Sequence, residues 1–165
     1  GMVHQHFKLV ECFTVLDNII LGAEPVSGLA VNRAAARKKV MELSERYGLK
    51  VDPDAIVEKL PTAQQQLVEI AKAISTNAKI LIMDEPSAPL SVAEVEKMFN
   101  IVRELKKNGV TIIYISHRLS SCIFCDRIAV FDKAKLVEEG THEQLLKSGN
   151  KYSELWNAQA QYYKI

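Results

Sequence analysis

The residues best suited to chemistry are Asp84 and Glu85, adjacent at the end of the apolar run "ILIM". Such a continuous apolar run reads as a buried parallel strand, and open α/β sheets bind ligands beyond the carboxyl ends of their strands. Two carboxylates placed there suit phosphoryl chemistry: Asp84 could hold a magnesium ion, and Glu85 could polarise a water for in-line attack. The plainer alternative is a strand end that meets solvent with its acids exposed. A second apolar run, "VTIIYI", leads into "SH". His117 there could stabilise developing phosphoryl charge or be an ordinary strand-end histidine.

The elements that must position these residues follow from periodicity. "GMVHQ" reads as the end of a short strand, "TVLDNIILG" as a short helix and "AEPVSG" as a loop. From Asn32 a longer helix carries Ala36, Val40, Leu43 and Tyr47 on one face and stops at Gly48. In "EKLPTAQQQLVEIAKAI" the three glutamines are not low complexity. Thr62 and Gln65 have capping-box spacing, and Leu67, Ile70, Ala71 and Ile74 recur at helical period. Ser91 with Glu94 and Thr141 with Gln144 predict two further capped helices, the first lined by Val95, Met98, Phe99, Val102 and Leu105. "DRIAVFD" and "KLVEEG" read as two more strands, and a last helical pattern runs from Tyr152 through Leu155 and Trp156. Strand–helix–strand order with near-continuous apolar strands predicts an α/β fold whose parallel sheet is covered on both faces. The expected sheet comprises segments near 1–5, 79–84, 110–115 and 127–131, beside a mostly helical lobe over 6–77.

Composition bounds the possibilities. The 165 residues are 48% hydrophobic and 25% charged, with a formal net charge of +1. That suits one globular domain and gives no basis for nucleic acid or an anionic membrane surface as partner. The longest apolar runs are too short to span a bilayer, and "GMVHQHFKLV" lacks the pattern of a signal peptide. Three cysteines, an odd number, argue against a disulfide framework. The Cys122/Cys125 pair stands alone, which favours packing over redox or zinc chemistry.

Taken in order, "GMVHQ", "LPTAQQQLVEIAKAI", "ILIMDEP" and "ISHRL" closely resemble the nucleotide-binding subunits of ATP-binding cassette (ABC) transporters. The resemblance covers nearly the whole chain, as a single partial ABC ATPase domain over 1–165. Residues 6–77 would be its helical subdomain, and 1–5 with 78–165 its α/β core of P-loop NTPase type. It implies that Gln5 is the Q-loop glutamine, touching magnesium and the attacking water. Asp84 becomes the Walker B aspartate on magnesium, Glu85 the catalytic glutamate and His117 the switch histidine. Leu60, Pro61, Thr62, Ala63 and Gln64 fall at the signature sequence, and Ala88, Pro89, Leu90 and Ser91 at the D-loop. ATP and Mg2+ are the implied cofactors. Transmembrane permease subunits and a second nucleotide-binding subunit are the implied partners, with the chain peripheral on the cytoplasmic face of a membrane.

Parts of the pattern point different ways. Residues 1–59 are similar to importers of nucleosides and related solutes, the middle to sugar importers, and the stretch from Cys125 onward to exporters. Four departures stand out. No G-x-x-x-x-G-K-[ST] phosphate cradle occurs in these residues. The signature reads "LPTAQ", where Pro61 removes a hydroxyl and an N–H and Ala63 adds a methyl. The D-loop reads "APLS". The turn after Phe131 is "DKAK", without the glycines that a tight hairpin prefers. Hydrolysis by these residues alone is expected to be very weak, and a non-hydrolysing docking module or inactive fragment of the same fold is the alternative. Lacking the strand between them, the segments 110–115 and 127–131 are expected to pair directly or to recruit a second copy.

Overall fold

The computed structural model describes residues 1–27 and 30–160. Gly28, which closes the expected loop, lies outside them, as do residues 161–165. The chain falls into two compact units, one from Gly1 to Ile115 and one from Ser116 onward.

In the first unit, β1 (Met2–Val3), β4 (Ile80–Asp84) and β5 (Thr111–Ile115) form a parallel sheet in the order β1-β4-β5. The helices are α1 (Val15–Ile20), α2 (Arg33–Tyr47), α3 (Thr62–Ile74) and α4 (Val92–Lys107). A short antiparallel pair, β2 (Val26–Ser27) and β3 (Ala30–Val31), occupies part of the segment read as a plain loop. No other strand interrupts residues 6–77 among those described, so this stretch is mainly helical. Thr14 caps α1 through the Asp17 N–H, Asn32 caps α2 through the Ala35 N–H, and Gly48 ends α2 at φ 65°. The Glu94 carboxylate caps back on the Ser91 N–H at 2.8 Å, as the sequence predicts.

The core of this unit joins helices to one sheet face. Val15, Leu16 and Ile19 of α1, Val40 of α2, and Val68, Ile70 and Ala71 of α3 are buried with Leu81 and Met83 of β4 and Met98 and Leu105 of α4. A Cβ on Gly1 would lie 2.5 Å from the Ala73 carbonyl oxygen. Only glycine lets the chain enter β1 so close to the last turn of α3. The opposite sheet face is less covered than expected. Ile80 is 51% exposed, and Ile113 and Ile115 each 46%. β5 alternates between exposed and half-buried residues.

In the second unit, β6 (Ile128–Asp132) pairs antiparallel with β7 (Lys135–Gly140), followed by α5 (His142–Ser148) and α6 (Lys151–Ala160). The expectation that β6 joins the parallel sheet and pairs directly with β5 is therefore corrected. Its ladder is closed locally by a two-residue turn, a cheaper closure than any long-range strand pairing. Lys133 and Ala134 both take positive φ, 47° and 60°, the conformation of the hairpin turn that usually selects Asn-Gly. Cys122, Ile128, Val130, Leu145 and Tyr152 form this unit's core. Burial, with Cys122 and Cys125 nearby, pushes the Tyr152 phenol up to about 12.

Candidate functional site

Three parallel strands bring the sequence-predicted acids to one edge. Val3 is level with Met83 and Asp84 with Ile115, so the carboxyl ends of β1, β4 and β5 coincide. Gln5 follows the carboxyl end of β1 by two residues. Asp84 is half-buried, Glu85 is 9% exposed and Gln5 is exposed. The structure thus gathers Gln5, Asp84 and Glu85 at the end where α/β sheets bind ligands.

Glu85 is held in a costly conformation. Its φ is +46°, and it precedes Pro86, which disfavours helical backbone at the residue before it. An L-residue there costs about 1–3 kcal/mol. The backbone fixes it from both sides: the Glu85 N–H donates to the Ile115 carbonyl at 3.0 Å, and its carbonyl accepts the Ala88 N–H at 3.1 Å. The chain then turns through Ala88 and Pro89, both exposed, to buried Leu90 and to Ser91, the residue before α4.

Sequence reading missed what pins this turn. Ser87 is 1% exposed and accepts a 3.0 Å hydrogen bond from the Tyr114 hydroxyl, while the Tyr114 ring packs 5.7 Å from that of Phe99. The alternation in "TIIYI" could have placed Tyr114 on the inward face, but nothing local marks Ser87 as its partner.

The signature segment differs from expectation in one respect. Helix α3 opens with Pro61 as its N-cap and has no side-chain cap; Thr62 is its first helical residue, not its cap. The Thr62–Gln65 capping box is corrected. Gln65 reaches back instead to the Leu60 carbonyl, its Nε2 donating at 2.9 Å. Proline at the N-cap keeps Thr62 inside the first turn, where its hydroxyl cannot reach the next-turn N–H groups as a cap does. Leu60 and Ala63 are half-buried, whereas Pro61, Thr62 and Gln64 are exposed. The signature end of α3 lies about 16 Å along the helix from Ala73 at β1. His117 belongs to the second unit, where it is exposed and its carbonyl accepts the Gln159 Nε2 at 2.7 Å.

Comparison with known proteins fixes the family. A sequence model described as ABC transporter matches residues 1–88. The chain is 48% identical over 139 residues to the nucleoside import ATP-binding protein NupA of Lactococcus lactis subsp. cremoris, covering 84% of this chain and 28% of that protein.

The chain belongs to the ABC transporter family.

A further relative is the ribose import ATP-binding protein RbsA 3 of Rubrobacter xylanophilus, 43% identical over 146 residues, which cover 88% of this chain and 30% of that protein. The chain thus spans about three tenths of the length of these curated relatives. Among solved structures, a bacterial Atm1-family ABC exporter with ATP bound matches at a TM-score of 0.77 and 27% identity, over 97% of this chain and 28% of that one. The dimeric structure of MJ0796, a bacterial ABC transporter cassette, matches at 0.71 and 26% identity, over 86% and 62%. The fold is the α/β P-loop NTPase fold of ABC ATPases.

The donors at the sheet edge suit the magnesium ion that this family implies. The Asp84 carboxylate and the Gln5 amide oxygen are hard oxygen donors, and Mg2+ needs only one or two protein oxygens beside substrate phosphates. Among the described residues no group of three or more His, Cys, Asp or Glu could form a self-sufficient metal cage. For the phosphates these residues hold no glycine-rich cradle with a lysine.

Proposed function

We propose that these residues form the magnesium-and-water side, together with the signature helix, of an ATP-hydrolysing cassette that drives a transporter. The observation that carries the reading is the convergence of Gln5, Asp84 and strained Glu85 at the carboxyl ends of β1 and β4. Bound magnesium would neutralise phosphate charge. Asp84 and Gln5 would hold it, and Gln5 would also contact the attacking water. Glu85, fixed by its backbone, would orient that water and draw its proton, and His117 would meet the developing phosphoryl charge. Leu60 to Gln64 would face the nucleotide of a second cassette, with Ala88 to Ser91 beside it. The whole chain is read as one partial cassette domain, with 6–77 as the subdomain that docks on transmembrane permease subunits. That docking would place it on the cytoplasmic face of the membrane. Among the described residues no helix is long and apolar enough to cross a membrane. The similarity to nucleoside and ribose import proteins supports import of a nucleoside or sugar.

A second reading, a docking module that does not hydrolyse ATP, has one observation in its favour. Helix α3 opens on Pro61, which has no N–H to offer a phosphate. Phosphate release by the purified 165-residue chain, measured with malachite green beside Glu85→Gln, tests the proposal. Release near background in both is expected, because the phosphate cradle must come from other residues. Rapid release abolished by Glu85→Gln would overturn that dependence.

A further inference from the structure

Between Gln5 and α1 the backbone belongs to no helix or strand, yet the polar groups of Lys8 and Val10 are paired by side chains from elsewhere. The Lys8 N–H donates to Glu69 Oε1 at 3.3 Å, and the Lys8 carbonyl accepts Lys72 Nζ at 2.8 Å. Glu69 and Lys72 lie three residues apart on α3, so one helix face grips both polar groups of a single residue. Two residues further on, Asn18 of α1 does the same for Val10, accepting its N–H at 2.7 Å and donating to its carbonyl at 3.0 Å.

Glu69 is 3% exposed, and among the described residues its second oxygen, Oε2, has no hydrogen-bond partner; nor does Nε2 of Gln66, one turn earlier and 1% exposed. Burying a carboxylate with an oxygen unpaired is costly, and an apolar side chain would fill the same place without that cost. The bond to the Lys8 peptide is what the carboxylate supplies in exchange.

We infer that Glu69 and Lys72 are positioning residues: through the Lys8 peptide they tie Gln5 to α3, the helix that begins at the signature segment. The consequence is mechanical. A shift of α3 along its axis moves the Lys8 peptide with it, and Gln5 lies only three residues away. This inference rests on the reading of Gln5 as part of the magnesium site.

Amide exchange and Mn2+ broadening in the NMR spectrum of the 165-residue chain test it, with Mn2+ as the probe ion in the presence of ATP. In Glu69→Ala the Lys8 amide is expected to exchange about tenfold faster or more, while the Leu81 amide of β4 changes far less. Mn2+ broadening at Gln5 should weaken while that at Asp84 persists. Glu69→Gln, which retains an acceptor oxygen, should restore both. Lys72→Met leaves the Glu69 bond in place and should weaken broadening at Gln5 with a smaller change at Lys8; it also serves if Glu69→Ala does not fold. Unchanged Lys8 exchange, no rescue by glutamine, or faster Lys8 exchange with Gln5 broadening intact would each overturn the inference. Absence of Asp84 broadening in the unsubstituted chain would remove the site itself and the inference with it. That result is distinct, because it appears before any substitution.

Discussion

Replacing Glu85 by glycine or by alanine should give opposite signs from those of an ordinary loop position. Both substitutions remove the side chain and its contacts, so the difference between them isolates the backbone. At φ +46°, before Pro86, an alanine keeps the strain that glutamate bears, about 1–3 kcal/mol. Glycine relieves it, while its freer unfolded chain costs about 0.4–1 kcal/mol. The net expectation is that Glu85→Gly is more stable than Glu85→Ala by about 1 kcal/mol. At a residue with negative φ, alanine would be the more stable of the two. Native-state hydrogen exchange of the β4 amides is the appropriate assay, since the only tryptophan, Trp156, lies in the second unit and reports on that unit. Equal protection, or greater protection in the alanine variant, would refute the claim that Glu85 is held in a strained conformation.

Asn18→Ala should destabilise the first unit by about 1–3 kcal/mol, because it strands the half-buried Val10 N–H and removes two donated bonds, to Val10 and Thr14. Urea unfolding followed by far-UV circular dichroism measures this, and a loss under about 1 kcal/mol would contradict the anchoring role. In the β6–β7 turn, Lys133→Asn with Ala134→Gly should stabilise the second unit by about 1 kcal/mol, since both positions have positive φ. Trp156 fluorescence in urea reads the gain, and no gain would argue against the turn conformation. Asp17, Asp54 and Glu94 have carboxyls held below their ordinary values, by Thr14 and then Arg33, by Arg37, and by Ser91 respectively. Depressed folded values give stability that is fully present above the ordinary 3.8 to 4.5 and is lost as pH falls through the lower folded values. The urea midpoint should therefore drop on going from pH 6 to pH 3, and Asp54→Asn should make that drop shallower; an unaltered pH profile would contradict it.

Much of this fold could be read from the sequence because local signals agree with tertiary packing. The apolar run ending at Asp84 is a strand, and Asn32, Gly48, Ser91 and Thr141 mark helix ends where the sequence puts them. The signals failed where two local rules compete. Thr62 and Gln65 have capping-box spacing, but Pro61 takes the cap position and moves Thr62 into the helix. Strand 128–132 has the apolar character of a parallel strand, yet its partner strand begins only three residues after Asp132 across a tight turn, and that pairing prevails. At the candidate site, Asp84 and Glu85 were legible as chemistry because acids at the end of an apolar run are conspicuous. The residues that hold their surroundings were not. Ser87 acts through Tyr114, and Glu69 and Lys72 act through the Lys8 peptide 61 and 64 residues away. No periodicity encodes such long-range bonds.

The central claim is that Gln5, Asp84 and Glu85 form the magnesium side of a nucleotide site. Its most direct test is residue-specific Mn2+ broadening of the backbone amides, with ATP, in the unsubstituted chain and in Asp84→Asn. The account predicts that Gln5, Asp84 and Glu85 broaden at the lowest Mn2+ concentrations and that Asp84→Asn abolishes the effect at all three. Broadening that first appears at other acids, such as Asp52 and Asp54, or that survives Asp84→Asn, would contradict it.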